Sequence, residues 1–225
     1  MKIACLMWYN SGIKEYADIN YKINKIYCDN HGIDLIVSSE EKYTDGRTKH
    51  WEKLPMVLQE LERGTYDYVI WIDSDAYFYV DSPDILDLIL DYSDKCFIFS
   101  DDINKKDIWK INSGFFIVKN CPESLEILRE WAWNSEYKRL SKKIFPGEQT
   151  TLWYMYEENI LNVREKSVSL EYGFLQHFNS CYDTKSCLKN PYHKYGYPFV
   201  NHFPGKKKEY RIEVSRKYYE ALTCL

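Results

Sequence analysis

The segment Tyr68-Val69-Ile70-Trp71-Ile72 runs straight into Asp73-Ser74-Asp75. Five apolar residues without a break suit a buried strand of an α/β sheet. The strand then delivers two carboxylates two residues apart. Period two places both on the same side of an extended chain. The carboxyl ends of parallel strands are where ligands of open α/β sheets bind. Two adjacent carboxylates repel unless a cation sits between them. A hard divalent ion that also holds a diphosphate answers this need. The competing reading is a solvated acidic turn, because Asp81, Asp84, Asp87 and Asp91 follow closely.

The rest of the chain alternates strand and helix. Lys2–Trp8 reads as a buried strand. Tyr16, Ile19, Ile23 and Ile26 recur at helical spacing within residues 14–30. A strand at Asp34–Val37, a polar loop over 38–50 and a helix from Trp51 to Arg63 follow, with Pro55 tolerated in its first turn. Ser82-Pro83 reads as an N-cap with Pro at N1, opening a helix to Asp91. Cys96–Ser100 is a further strand. This β-α-β-α-β order implies right-handed crossovers and a parallel sheet. In the second half, Ser113–Lys119 reads as a strand, and Pro122–Trp133 and Glu148–Glu158 as helices. Short strands are expected near 160–163, 168–171 and 197–201, and a last helix at 209–222. The 225 residues suit one domain, with a nucleotide-binding first half over 1–100 and a mixed second half over 101–225.

Composition excludes several classes. Hydrophobic residues at 45% and charged residues at 28% describe a globular chain. A net charge of -4 argues against a general nucleic-acid binder, which needs a basic face. No apolar run approaches the roughly 18 residues of a membrane span. The seven Cys include no CxxC pair, and the spacing of Cys181 to Cys187 is not a zinc pattern. Met1-Lys2 leads directly into a strand without a signal-type apolar region, and no Asn-x-Ser/Thr sequon occurs. The expectation is an unanchored cytoplasmic protein with free thiols, in the host cytoplasm if the source is viral. Aromatics reach 17%, with 21 Tyr and 7 Trp. Such rings stack on bases and sugars, although AT-rich coding also enriches Tyr.

Further candidates lie along the chain. Asn201-His202-Phe203-Pro204-Gly205 precedes Lys206-Lys207-Lys208. A neutral His202 imidazole can be a third metal ligand. Gly205 lets backbone approach a phosphate, and a nearby Lys neutralises it. The plainer reading is a core His beside a surface basic run. His31, His50, His177 and His193 have no comparable context. Lys53, in Trp51-Glu52-Lys53, can reach phosphate or extend along the surface. Asn112-Ser113-Gly114 begins a strand, where Asn and Ser can hold sugar hydroxyls and Gly permits an unusual φ; a simple turn is the alternative. Pro146-Gly147-Glu148-Gln149 opens a helix from which Glu148 or Gln149 can project into a cleft, unless Glu148 merely faces the helix dipole.

Taken in order, Trp-x-Lys, the strand with Asp-Ser-Asp-Ala, Asn-Ser-Gly, an acid-Gln pair and His-Phe-x-Gly with a downstream Lys resemble a known group. These are the GT-A glycosyltransferases that include fungal α-galactosyl- and α-mannosyltransferases and plant xyloglucan xylosyltransferases. The small glycosyltransferase domains of large algal viruses look similar. The resemblance spans residues 51–208. It implies a GT-A (Rossmann-like nucleotide-diphospho-sugar transferase) α/β fold, with a mostly parallel central sheet flanked by helices. It also implies a retaining, metal-dependent enzyme. Asp73, Asp75 and His202 would hold Mn²⁺ or Mg²⁺. Ser74 would lie near the ribose, Gly205 and Lys208 near the diphosphate, and Lys53 on the donor side. Asn112, Ser113 and Gly114 would flank the donor sugar. Glu148 and Gln149 would match an Asp-Gln pair near the anomeric carbon, with Glu one methylene longer. Trp8 and Tyr9, with Asn10, would hold the base. The implied donor is a nucleotide sugar, UDP favoured, and the acceptor a glycan or glycoprotein. Eukaryotic members carry an N-terminal anchor and stem that this sequence lacks, which suits a viral or bacterial source. The alternatives are a non-catalytic carbohydrate-binding module and a sugar nucleotidyltransferase. The latter usually carries a Gly-rich loop where this chain has Trp8-Tyr9-Asn10-Ser11-Gly12.

Overall fold

The computed structural model describes residues 1–102, 111–137, 147–178 and 198–224. The expectations for Pro146, Cys181, Cys187, His193 and the start of a strand at 197 lie outside them. A six-stranded sheet forms the centre. Its strands are β1 (Ile3–Trp8), β2 (Asp34–Ser38), β3 (Tyr68–Ile72), β5 (Phe97–Asp101), β6 (Ile111–Lys119) and β7 (Ser167–Leu170), in the order β2-β1-β3-β6-β5-β7. The pairs β1/β2, β1/β3 and β5/β7 are parallel, and β6 runs antiparallel to both β3 and β5. The sheet is thus mostly parallel, as expected, but β6 is inserted between β3 and β5.

Alternation along the strands explains why both faces are covered. Ala4, Leu6, Trp8, Val69 and Trp71 point to one side, and Ile3, Cys5, Met7, Ile70 and Ile72 to the other. The first face packs on α2 (Lys53–Glu62), α4 (Pro122–Trp133) and α5 (Gly147–Glu157) through Leu54, Val57, Ile127, Trp131 and Leu152. The second packs on α1 (Lys14–Asn30) and α3 (Ile85–Asp91) through Tyr16, Tyr27, Ile85 and Leu88. Many of the aromatics are consumed here: Trp51, Trp131, Tyr27 and Phe115 are fully buried.

A second, three-stranded sheet has the order β4-β9-β8, with β4 at Ala76–Phe78, β8 at Gln176–Phe178 and β9 at Val200–His202. It aligns Ala76 with His202, and Phe203 N–H donates to the Asp75 carbonyl at 3.0 Å. A last helix, Lys208–Thr223, packs with α1 around Tyr77, Phe203, Tyr210 and Tyr218.

Two expectations fail. The 160–163 segment is a 3-10 turn, Ile160–Asn162, leading into the short helix Val163–Lys166. Leu161 and Asn162 have φ of 54° and 58°, which a strand cannot accommodate. The helix to Asp91 starts at Ile85, not at Pro83. Asp84 is its cap, accepting from Leu86 N–H at 2.9 Å, while the Ser82 hydroxyl is buried against the Pro198 carbonyl. No helix among the described residues is long and apolar enough to cross a membrane.

Candidate active site

A cavity of about 650 Å³ opens at the carboxyl end of β3, where the two sheets meet. Its lining includes Trp8, Lys53, Asp73, Ser74, Asp75, Asn112, Ser113, Gly114, Glu148, Gln149, His202 and Gly205. With Asn10, which also lines it, thirteen positions singled out from the sequence therefore converge. Two do not. The Tyr9 hydroxyl turns to Asp18 at 3.0 Å, and Lys208 pairs with Glu15 at 3.0 Å.

The acids are held by neighbours of opposite character. The outer oxygen of Asp73 accepts from Trp71 Nε1 at 2.7 Å and lies 3.1 Å from Lys53 Nζ. The outer oxygen of Asp75 lies 2.8 Å from the Arg211 guanidinium. Their inner oxygens face His202 Nε2, at 3.9 Å for Asp73 and 3.3 Å for Asp75. One donor atom from each of the three residues lies within 4.8 Å of the others. Burial pushes the Asp75 carboxyl up, but His202 and Arg211 outweigh it and hold its pKa down at about 2. Asn20 and Asn24 of α1 brace the turn, donating to the carbonyls of Ser74 at 2.9 Å and Ala76 at 3.2 Å.

Two carboxylate oxygens and one imidazole nitrogen form a donor set that suits Mn²⁺ or Mg²⁺ better than a soft ion. The residues present fit such a group.

Lys53 is the hub of the opposite side of the cavity. Its side chain is 2% exposed, and its ammonium touches Asp73, Glu148 at 3.3 Å and the Ser113 carbonyl at 3.0 Å. Burial alone would lower its pKa, yet Asp73 and Glu148 raise it. Glu148 Oε2 is buried and finds no hydrogen-bond partner among the described residues. Gln149 Oε1 accepts from Ser113 N–H at 2.9 Å. Gly114 is not in the left-handed region. It is glycine because the His202 ring lies where its side chain would be.

Sequence reasoning missed four residues, among them His50, which it set aside and which lines the cavity. Asp102 lines the cavity and accepts from Asn112 Nδ2 at 3.1 Å. An acid at a strand end was a usable signal there. Arg211 sits mid-turn in a helix rich in charge and carries no local signature. Gln176 is fully buried and contacts both Asn112 and His202. Nothing in its sequence context marks it.

This architecture is the GT-A fold, and in sequence the chain is similar to glycosyltransferases that share it. Residues 5–95 match the model of the galactosyl transferase GMA12/MNN10 family. The chain is 32% identical over 123 residues to xyloglucan 6-xylosyltransferase 4 of Arabidopsis thaliana, covering 48% of this chain and 22% of that protein. It is 34% identical over 115 residues to probable glycosyltransferase 2 of Oryza sativa, covering 48% of this chain and 23% of that one. The match thus spans under a quarter of those relatives' length. The crystal structure of a glycosyltransferase involved in glycosylation of the major capsid of PBCV-1 superposes with a TM-score of 0.73 at 19% identity, covering 96% of this chain and all of the other.

Proposed function

We propose that the protein transfers a hexose, pentose or deoxyhexose from a nucleotide-diphosphate sugar, with UDP favoured, to a glycan hydroxyl with retention. The observation that carries this is the convergence of Asp73, Asp75 and His202 donor atoms in a cavity that also holds Lys53, Glu148 and Gln149. The xylosyltransferase name of one relative supports the reaction class.

In this reading residues 1–100 supply the nucleotide side, with Trp8 near the base and Ser74 near the ribose. Residues 101–225 supply the sugar side and return His202 and Gly205 to the diphosphate. Gly205 has a φ of 69°, which leaves its backbone open to close approach. A bound divalent cation supplies Lewis-acid stabilisation of the departing nucleoside diphosphate. Lys53 and Arg211 add fixed positive charge where negative charge develops. The acceptor attacks from the leaving-group face, and a departing phosphate oxygen takes its proton. Glu148 and Gln149 line the sugar side and steady positive charge at its anomeric carbon.

Thermal unfolding of the chelated protein tests this, with Mn²⁺, UDP or GDP alone and each nucleotide with Mn²⁺. Ligand at about 100 times its Kd adds about 2.7 kcal/mol, several degrees in a chain of this size. The expected result is stabilisation that needs Mn²⁺ and UDP together and is lost in Asp75→Ala. No response to either nucleotide at millimolar concentration would overturn the proposal.

A further inference from the structure

The Asp102, Asn112, Gln176 and His202 side chains form a continuous hydrogen-bonded chain from the sugar side of the cavity to the acid pair. Asn112 Nδ2 lies 3.1 Å from Asp102 Oδ2. Asn112 Oδ1 lies 2.8 Å from the Gly114 N–H and 2.9 Å from Gln176 Nε2. Gln176 Oε1 lies 2.9 Å from His202 Nδ1.

Every orientation in this chain is forced from its ends. An ionised carboxylate only accepts, so the Asn112 amide nitrogen must face Asp102. A backbone N–H only donates, so the Asn112 oxygen must face Gly114. Gln176 must then present its nitrogen to Asn112 and its oxygen to His202. That oxygen only accepts, so His202 Nδ1 must carry a proton. The remaining ring nitrogen, Nε2, is the one turned to Asp73 and Asp75.

We infer that Gln176 is a positioning residue that fixes the His202 tautomer and thereby presents the Nε2 lone pair to a divalent cation. The inference rests on the reading of Asp73, Asp75 and His202 as a cation site. Ligating imidazoles are oriented in this way by a partner on the other ring nitrogen. Here the partner is a neutral amide, so the ring is oriented without a further negative charge. Gln176 belongs to β8 and His202 to β9; the parallel pairing sets Gln176 opposite Val200, two residues before His202, so the two side chains share one face. Asn112 enters from the central sheet, so both sheets fix the ligand.

The test is Mn²⁺ affinity, read from the free-ion electron paramagnetic resonance signal, with and without UDP. Gln176→Leu removes the acceptor and is expected to weaken Mn²⁺ binding roughly 10- to 100-fold. Gln176→Glu still accepts from Nδ1–H but cannot donate to Asn112. It is expected to bind Mn²⁺ within about threefold of wild type, even if its unfolding midpoint falls as far as that of Gln176→Leu. A purely structural Gln176 would move the midpoints and leave both affinities alike. Wild-type affinity in Gln176→Leu, or equal loss in both variants, would overturn the inference. Absence of Mn²⁺ binding by the wild type would instead overturn the cation site itself.

Discussion

Gly114 lies directly beneath the imidazole of His202: a Cβ on Gly114 would stand 2.2 Å from Cε1 and 2.9 Å from Nδ1. The strand cannot yield that much space, and the ring can do so only by moving into the cavity it lines. Gly114→Ala is therefore expected to expel the ring from the acid pair. Transfer should fall at least tenfold, about 1.4 kcal/mol of barrier, and Mn²⁺-dependent stabilisation should vanish. Steady-state kinetics and thermal unfolding with and without Mn²⁺ check this. An unchanged Mn²⁺ response would show that the ring has room to move.

Lys53→Met leaves Asp73 and Glu148 without their shared cation. Removing one member of a buried ionic group costs about 3–5 kcal/mol, a loss that urea denaturation at neutral pH would report. The pH dependence follows from the raised Lys53 pKa. A group whose folded pKa lies above its unfolded value of 10.5 stabilises fully below that value. The contribution fades only as pH rises through the higher folded value. The wild-type excess over Lys53→Met should thus show no loss on the alkaline side until pH passes 10.5.

Glu148→Gln separates two roles of a carboxylate at this position. If Glu148 is not a nucleophile, transfer should persist within about tenfold and no glycosyl-enzyme should accumulate. Intact-protein mass spectrometry during turnover reads the second point directly. Abolished transfer by the variant, together with a trapped adduct on the wild type, would make Glu148 a nucleophile.

Asn24, fully buried on α1, donates to the Ala76 carbonyl at 3.2 Å and accepts from Phe78 N–H at 2.8 Å. Asn24→Leu strands both backbone groups. The expected destabilisation is roughly 2–4 kcal/mol, from two buried groups that each lose a partner. Because β4 is the partner of the strand that carries His202, Mn²⁺ affinity should fall as well. Urea denaturation and a metal titration measure the two effects separately.

Much of this was legible in the sequence. The helices 14–30 and 122–133 announce themselves by apolar spacing and, in the second, by Pro at N1. The acid pair was legible because a long apolar strand precedes it. The small sheet was not, because three-residue strands such as Ala76–Phe78 and Gln176–Phe178 have no measurable period. The insertion of β6 was equally hidden, since local pattern carries no pairing partner. Gln176 and Arg211 owe their positions to tertiary contacts alone. Tyr9 and Lys208 stood in the right stretches, but each found a carboxylate closer by, Asp18 and Glu15.

The pairing of β4 with β9 sets an order of events during synthesis. Asp73 and Asp75 leave the ribosome long before His202, Arg211 and the strand that joins them. Until then the two acids share no imidazole, and one side of β4 lacks its neighbour. Contacts so distant in sequence form late, after the loop-closure entropy has been met. A nascent chain can therefore build its first βαβ units early and still be unable to bring Asp73, Asp75 and His202 together. Any function that depends on these groups together can arise only once the chain has been made through Arg211.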